Sequence, residues 1–386
     1  TDETGIELRR AGLMQSKRWP ELRASIDRLT ADGPKGPQPM TSTLETPTDL
    51  GLWRTPDARL ILRADAPRDA WLAERRKGLG GSDAATVLGL NPYSDPYSLW
   101  VDKTTGLPDE TPSSAMEWGN RLEAAVAQWF TDETGIELRR AGLMQSKRWP
   151  ELRASIDRLT ADGGILEIKT TNWRQAELWD DGQVPDSAEL QTQHYLAVTG
   201  RNHAHVAVLM DGRDPLQRLV ERDERLIADL IKIEREWWAK HVVGGIAPAV
   251  DASSSCTEAL NGRWAGEGGL LVELDAAALD AVREYHAAAA AAKAADARKS
   301  LAGNTLRGLI GEATEAKTAD GTPIATWKRN GTFAPARFTA AEPELAAEYT
   351  RAVTVEKLDV DAIKRDHPET WESYRARVLR PAKWKG

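Results

Sequence analysis

Asp157 stands ten residues before Glu167, and Lys169 follows Glu167 by two. Between them lies Asp162-Gly163-Gly164, a turn signal, and then the apolar run Ile165, Leu166, Ile168 of a short buried strand. Side chains alternate along a strand, so Glu167 and Lys169 share one face while Leu166 and Ile168 take the other. If residues 152–157 are also extended, the turn brings Asp157 beside Glu167. Two carboxylates and an ammonium then converge, which suits metal-assisted phosphodiester hydrolysis. Hard oxygen ligands hold Mg2+, the ion lowers the pKa of a bound water, and Lys169 orients that water or offsets charge on the phosphate. A Glu-x-Lys pair alone also occurs on solvated strand edges; the Asp across a glycine turn is what points to a site.

Several elements must position this group. Pro67 opens a helix ending in Glu74-Arg75-Arg76-Lys77, and Gly78-Leu79-Gly80-Gly81-Ser82-Asp83 follows, with Ser82 expected as the N-cap of a second helix. Exposed N–H groups at a helix start attract phosphate, and Arg75 and Arg76 stand just before them. A glycine turn with a basic, solvated end is the structural alternative. Asp95-Pro96 starts a third helix that stops at Gly106. Residues 114–134 form a fourth, with Trp118, Leu122, Val126, Trp129 and Phe130 on its apolar face. Glu123 borders that face and needs a partner, either a salt bridge or a metal. Residues 136–140 and 143–147 are expected to pair as a hairpin about Ala141-Gly142. Helices follow at 172–180, at 186–199 (with Gln191 one turn before Tyr195) and at 222–243, with strands at 203–210 and 216–221. His203 and His205 alternate as zinc ligands do, without a third soft ligand in the sequence pattern, so they read as an ordinary strand pair. Residues 274–313 read as a packed pair of alanine-rich helices or a short coiled coil, 315–328 as a hairpin, and the tail as two or three short helices.

Composition excludes several classes. The chain has 386 residues, a net charge of -8 and one cysteine, Cys256. It cannot form an internal disulfide or hold a cysteine-based zinc or iron–sulfur site, and it fits a reducing cytoplasm. The negative charge argues against a non-specific DNA coat and permits a DNA enzyme with a local basic patch. No apolar run reaches membrane-spanning length. Fifteen tryptophans are expected to pack mostly in cores. Residues 1–33 repeat residues 131–163 without a difference, followed by a proline-rich link and Met40. Natural repeats drift. Residues 1–39 therefore read as a duplicated leader outside the native fold, with Asp27 but no counterpart of Glu167 or Lys169. The expected plan continues with an arm over 40–66, a catalytic domain over 67–243, a linker over 244–270 and a helical accessory domain over 271–386.

Taken together, these stretches resemble the YqaJ-type viral recombinases, relatives of phage lambda exonuclease in the PD-(D/E)XK nuclease superfamily. The resemblance is carried by Gly78–Ala85 with Leu88–Tyr93, by Trp118–Glu123, by Asp157 with Leu166–Thr170, and by Leu190–Gly200. It implies an α/β fold with a PD-(D/E)XK restriction-endonuclease-like core, a mixed sheet flanked by helices, before a mainly helical C-terminal region. Asp157 and Glu167 would then hold the catalytic metals, with the Ile168 carbonyl and Glu123 completing the shell. The cofactor would be Mg2+, as two ions, with Mn2+ as a substitute. Lys169 would position the attacking water and Gln191 would sit against the site. Arg76 and Ser82 would bind the 5′-phosphate of a DNA end, with Arg75 adjacent and Ser155 joining them. The resemblance further implies digestion of one strand of linear double-stranded DNA from its 5′ end, a single-strand annealing protein as partner, and a ring-shaped homo-oligomer, a trimer, in the cytoplasm of a bacterial host as a phage or prophage protein. The alternatives are a structure-specific or nicking endonuclease on the same core, and a DNA-end-binding scaffold without activity.

Overall fold

A computed structural model describes residues 52–106, 114–213, 215–266, 271–353, 356–375 and 377–382. The expected leader at 1–39 lies outside the described residues. The chain divides into two compact units between Trp264 and Ala265.

The first unit is built on a five-stranded sheet of order β2-β5-β6-β7-β8. Its strands are β2 (Leu138–Arg140), β5 (Arg158–Thr160), β6 (Ile165–Thr171), β7 (His203–Met210) and β8 (Leu216–Glu221). β6 and β7 run parallel, and every other pair is antiparallel. Parallel neighbours need a crossover. Helix α5 (Asp186–Thr199) supplies it, after a 3-10 segment at Trp173–Gly182. Helix α4 (Ser114–Thr134) covers the opposite face, where Val126 and Phe130 pack on Leu166 and Ala207. The sheet is thus mixed, with helices on both faces, as expected.

A smaller antiparallel sheet of order β1-β3-β4 sits beside it, formed by Ala58–Leu62, Leu143–Ser146 and Arg153–Ser155. Here the expected hairpin fails. β2 pairs with β5 in the large sheet, whereas β3 pairs with β1 and β4 in the small one. Gly142 marks the crossing and not a hairpin turn. A Cβ there would stand 2.0 Å from the Leu62 carbonyl, so only glycine lets the chain pass so close to β1. Ala58–Leu62, within the expected arm over 40–66, is therefore a paired strand.

Helices α1 (Arg68–Arg75), α2 (Gly81–Val87), α3 (Pro96–Thr105) and α6 (Glu224–Trp237) complete the unit. Helix α2 begins two residues earlier than expected. Gly80 is its N-cap, and the Asp83 carboxylate accepts the Gly80 N–H at 2.9 Å, so Ser82 does not cap it. The expected helix over 222–243 is α6 extended by a π turn at Trp238–Val243. Trp118, expected on the buried stripe of α4, is 57% exposed, because the apolar contacts of that helix begin only in its second half. Of the tryptophans among the described residues, Trp100, Trp179 and Trp237 are buried. Within the expected linker, Ser254–Arg263 forms helix α7, which buries Cys256 and packs on α3. Ser255 donates to Asp95 at 2.6 Å and Arg263 lies over the Trp100 ring.

The second unit opens with one continuous helix, α8 (Ala276–Ile310), where a helix pair is expected. No glycine or proline interrupts Ala276–Leu301, and alanine carries the helix through. The expected hairpin follows as β9 (Glu315–Lys317) and β10 (Pro323–Thr326). Four short helices follow, at Pro335–Ala341, Pro343–Tyr349, Val360–Asp366 and Pro368–Ser373. No helix among the described residues is long and apolar enough to cross a membrane.

Candidate active site

Strand alternation places Glu167 and Lys169 on the α5 face of β6, as the sequence requires. Lys169 Nζ donates to Glu167 Oε1 at 2.8 Å and to Gln191 Oε1 at 2.7 Å. Gln191 Nε2 in turn donates to Glu167 Oε1 at 2.6 Å and to the Tyr195 hydroxyl at 3.2 Å. Asp157 sits between β4 and β5, and its Oδ2 accepts the Ile168 N–H at 2.7 Å. The side chain of one carboxylate is thus tied to the backbone of the strand that carries the other.

Glu167 is buried, and its Oε2 has no hydrogen-bond partner among the described residues. Burial first, then the negative charge of Glu167, holds the Asp157 carboxyl well above its ordinary range, although the Ile168 N–H pulls it down; Glu123 adds to the rise. Crowded, desolvated carboxylates with an orphan oxygen are the donor set that a hard divalent cation satisfies. The residues present fit such an ion.

Glu123, on α4, is near enough for its charge to act on Asp157, and it is also in a salt bridge: Arg158 Nη1 donates to its Oε1 at 2.5 Å. Arg158 escapes the sequence reading, although it directly follows Asp157. Tyr195 closes the far side of Gln191, its phenol pushed well up by burial and by Glu167.

The four candidate phosphate residues separate. Arg75 Nη2 donates to Ser82 Oγ at 3.2 Å and to Asp83 Oδ1 at 2.9 Å. The Arg75 guanidinium lies 5.8 Å from the centre of the Trp71 ring, and Trp71 Nε1 donates to Ser155 Oγ at 3.3 Å. Arg75, Ser82 and Ser155 therefore form one chain of contacts, whereas Arg76 Nε turns to Asp102 Oδ1 at 3.0 Å. Beneath Arg75, Lys103 pairs with Asp83 at 2.8 Å. Burial pushes the Asp83 carboxyl up, but Arg75 and Lys103 outweigh it and hold it well below the carboxylate range. No periodic signal connects Asp83 to Lys103, so the sequence does not announce the pair.

Gly81 joins this cluster to the first. A Cβ at 81 would stand 2.5 Å from Tyr195 Cε1 and 2.9 Å from the Gln191 carbonyl. Helix α2, which carries Ser82, can press against α5 only because residue 81 has no side chain.

The chain belongs to the family described as the YqaJ-like viral recombinase domain, whose family model matches residues 70–202. It is 39% identical over 232 residues to the uncharacterized protein YqaJ of Bacillus subtilis (strain 168), spanning 58% of this chain and 73% of that one. Among solved structures, it is similar to LHK-Exo, an alkaline exonuclease from Laribacter hongkongensis. The complex of LHK-Exo with dAMP aligns at a TM-score of 0.42 and 26% identity, covering 46% of this chain and 93% of that one. A second LHK-Exo structure aligns at a TM-score of 0.41 and 25% identity.

Proposed function

We propose that this chain is a metal-dependent deoxyribonuclease that digests one strand of linear duplex DNA from its 5′ end and leaves a 3′ overhang for strand annealing. The observation that carries the hydrolytic reading is the buried Glu167, its Oε2 unpartnered among the described residues, with the half-buried Asp157 beside it and a lysine held in place by two acceptors. Membership of a viral recombinase family supports a role on DNA. The direction of digestion, the annealing partner and a ring-shaped trimer rest on the family resemblance.

In this reading Asp157, Glu167, Glu123 and the Ile168 carbonyl hold Mg2+, as one ion or two. The bound cation supplies a nucleophilic water at neutral pH and neutralises phosphoryl charge. Lys169 orients that water and stabilises the negative charge that develops on the phosphate. Gln191 keeps the Lys169 ammonium directed at the site. Arg75 and Ser82, and through Trp71 also Ser155, hold the terminal 5′-phosphate, while Arg76 braces the end of α1 against Asp102.

The test compares a linear duplex bearing a 5′-phosphate with the same DNA as a covalently closed circle, each with Mg2+ and with EDTA. Mg2+-dependent loss of the 5′ strand of the linear DNA alone is the expected result. Cutting of the circle means an endonuclease. Binding to ends without digestion means a scaffold.

A further inference from the structure

A second cluster lies across the sheet from the carboxylates. His203 and His205 alternate along β7 on the α4 face, where the His205 ring meets Phe130 edge-on at 5.0 Å. Both histidines converge on the turn that opens β6. His203 Nε2 is 3.1 Å and His205 Nε2 is 2.8 Å from one atom, Asp162 Oδ2. The other oxygen, Oδ1, accepts from Thr160 Oγ1 at 2.5 Å and from the Gly164 N–H at 3.1 Å, which aims Oδ2 at the rings. The second nitrogen of His205, Nδ1, is 3.2 Å from Gln217 Oε1. An amide oxygen only accepts, so Nδ1 donates in this contact, and in the neutral ring Nε2 then offers its lone pair to a cation. One carboxylate oxygen and two imidazole nitrogens this close together share a cation, either a proton or a metal ion.

We propose that Asp162, His203 and His205 bind a divalent transition-metal ion, with Zn2+ as the fitting member. Two imidazoles and a carboxylate suit zinc, and imidazole disfavours Mg2+ and Ca2+. Two ligand atoms each about 2.0–2.1 Å from an ion stand about 2.8–3.4 Å apart at angles of roughly 90–110°. The two separations from Asp162 Oδ2, 3.1 and 2.8 Å, fall within that range, and all three ligand atoms lie within 4.8 Å of one another. The hydrogen bond from His205 to Gln217 is the outer contact that fixes a ligating imidazole. Asp162 and His203 are partly exposed, so an ion and a completing water can enter. Gly164 belongs to the same construction: a Cβ there would stand 2.3 Å from His203 Nε2. The bound ion would staple the β5–β6 turn to β7 and so brace the strand that carries Glu167 and Lys169.

Metal-stripped full-length protein, in excess Mg2+, is titrated with Co2+ and followed by visible absorption, and then with Zn2+ by calorimetry. One Co2+ per chain with a nitrogen-ligand spectrum is expected, and Zn2+ at a hundredfold excess over Kd should raise Tm by about 5 °C or more. His203→Gln should remove both effects. Gly164→Ala, which keeps all three ligands but crowds the His203 ring, should weaken binding at least about tenfold. Asp157→Asn should leave the Co2+ spectrum unchanged. Absence of Co2+ binding by the wild-type chain, unaltered binding in His203→Gln, or loss of the spectrum in Asp157→Asn would each overturn the site.

Discussion

Gln191 holds Glu167 and Lys169 at once: its amide nitrogen donates to Glu167 Oε1 at 2.6 Å and its amide oxygen accepts from Lys169 Nζ at 2.7 Å. Both polar atoms of one side chain are spent on fixing the two groups that would do the chemistry. Gln191→Leu leaves the ion pair but frees the lysine to swing. The single-turnover rate of DNA digestion should fall about 10²-fold, with duplex binding kept. An unchanged rate would remove Gln191 from the positioning role.

Glu167→Gln separates a catalytic role from a structural one. Hydrolysis should drop by about 10²–10³-fold or more. Melting in EDTA should show no loss of stability, because the substitution relieves the charge crowding that raises Asp157. The rise in Tm on adding Mg2+ should shrink or vanish. A Tm in EDTA well below wild type would make Glu167 a structural residue.

The two neighbouring arginines should behave differently. Arg75→Gln should reduce the preference for 5′-phosphorylated over 5′-hydroxyl ends by about tenfold or more. Arg76→Gln, which loses its bond to Asp102, should leave that preference intact. The ratio of initial rates on the two kinds of end is the readout.

His194 supplies a pH dependence of stability. It is fully buried, its Nδ1 lies 2.8 Å from Glu234 Oε1, and its Nε2 lies 2.8 Å from the Arg153 carbonyl. Burial pulls its pKa down, but the Glu234 charge and these hydrogen bonds outweigh that and leave it above the ordinary 6.5. The folded state therefore holds the proton more tightly than the unfolded chain. This contribution is full below about pH 6.5 and is lost as pH rises through the folded value. Glu234→Gln should cost about 3 kcal/mol at low pH and flatten the curve. Denaturant melts between pH 5 and 9 would check both.

Deletion of residues 1–39 should leave digestion unimpaired, since the duplicate has Asp27 but nothing equivalent to Glu167 and Lys169. A loss of activity on deletion would give the leader a part in the native protein.

The Asp157, Glu167 and Lys169 group was legible because strand alternation and a glycine turn are local rules that burial on both faces of β6 enforces. The caps at Asp95 and Gly106 were legible for the same reason. Illegible were the partners that only topology brings together. Ala141-Gly142 has the composition of a hairpin turn, but the close approach of β1 decides its use. Arg75 and Arg76 are adjacent in sequence, and only the packing of α1 on α2 and α3 shows which one faces Ser82. His203 and His205 lacked a third ligand in the pattern, because Asp162 lies 41 residues before His203 and meets it through the parallel pairing of β6 with β7.

The missing side chain at residue 81 has a consequence for step length. With α2 seated directly on α5, the separation between the residues proposed to grip a terminal phosphate and those proposed to cut is set by a close contact at residue 81, with no side chain there to widen it. A nuclease built this way carries its own ruler. If the proposed roles hold, it would cleave at one set distance from the end, and the calibration would rest on a single absent methyl group.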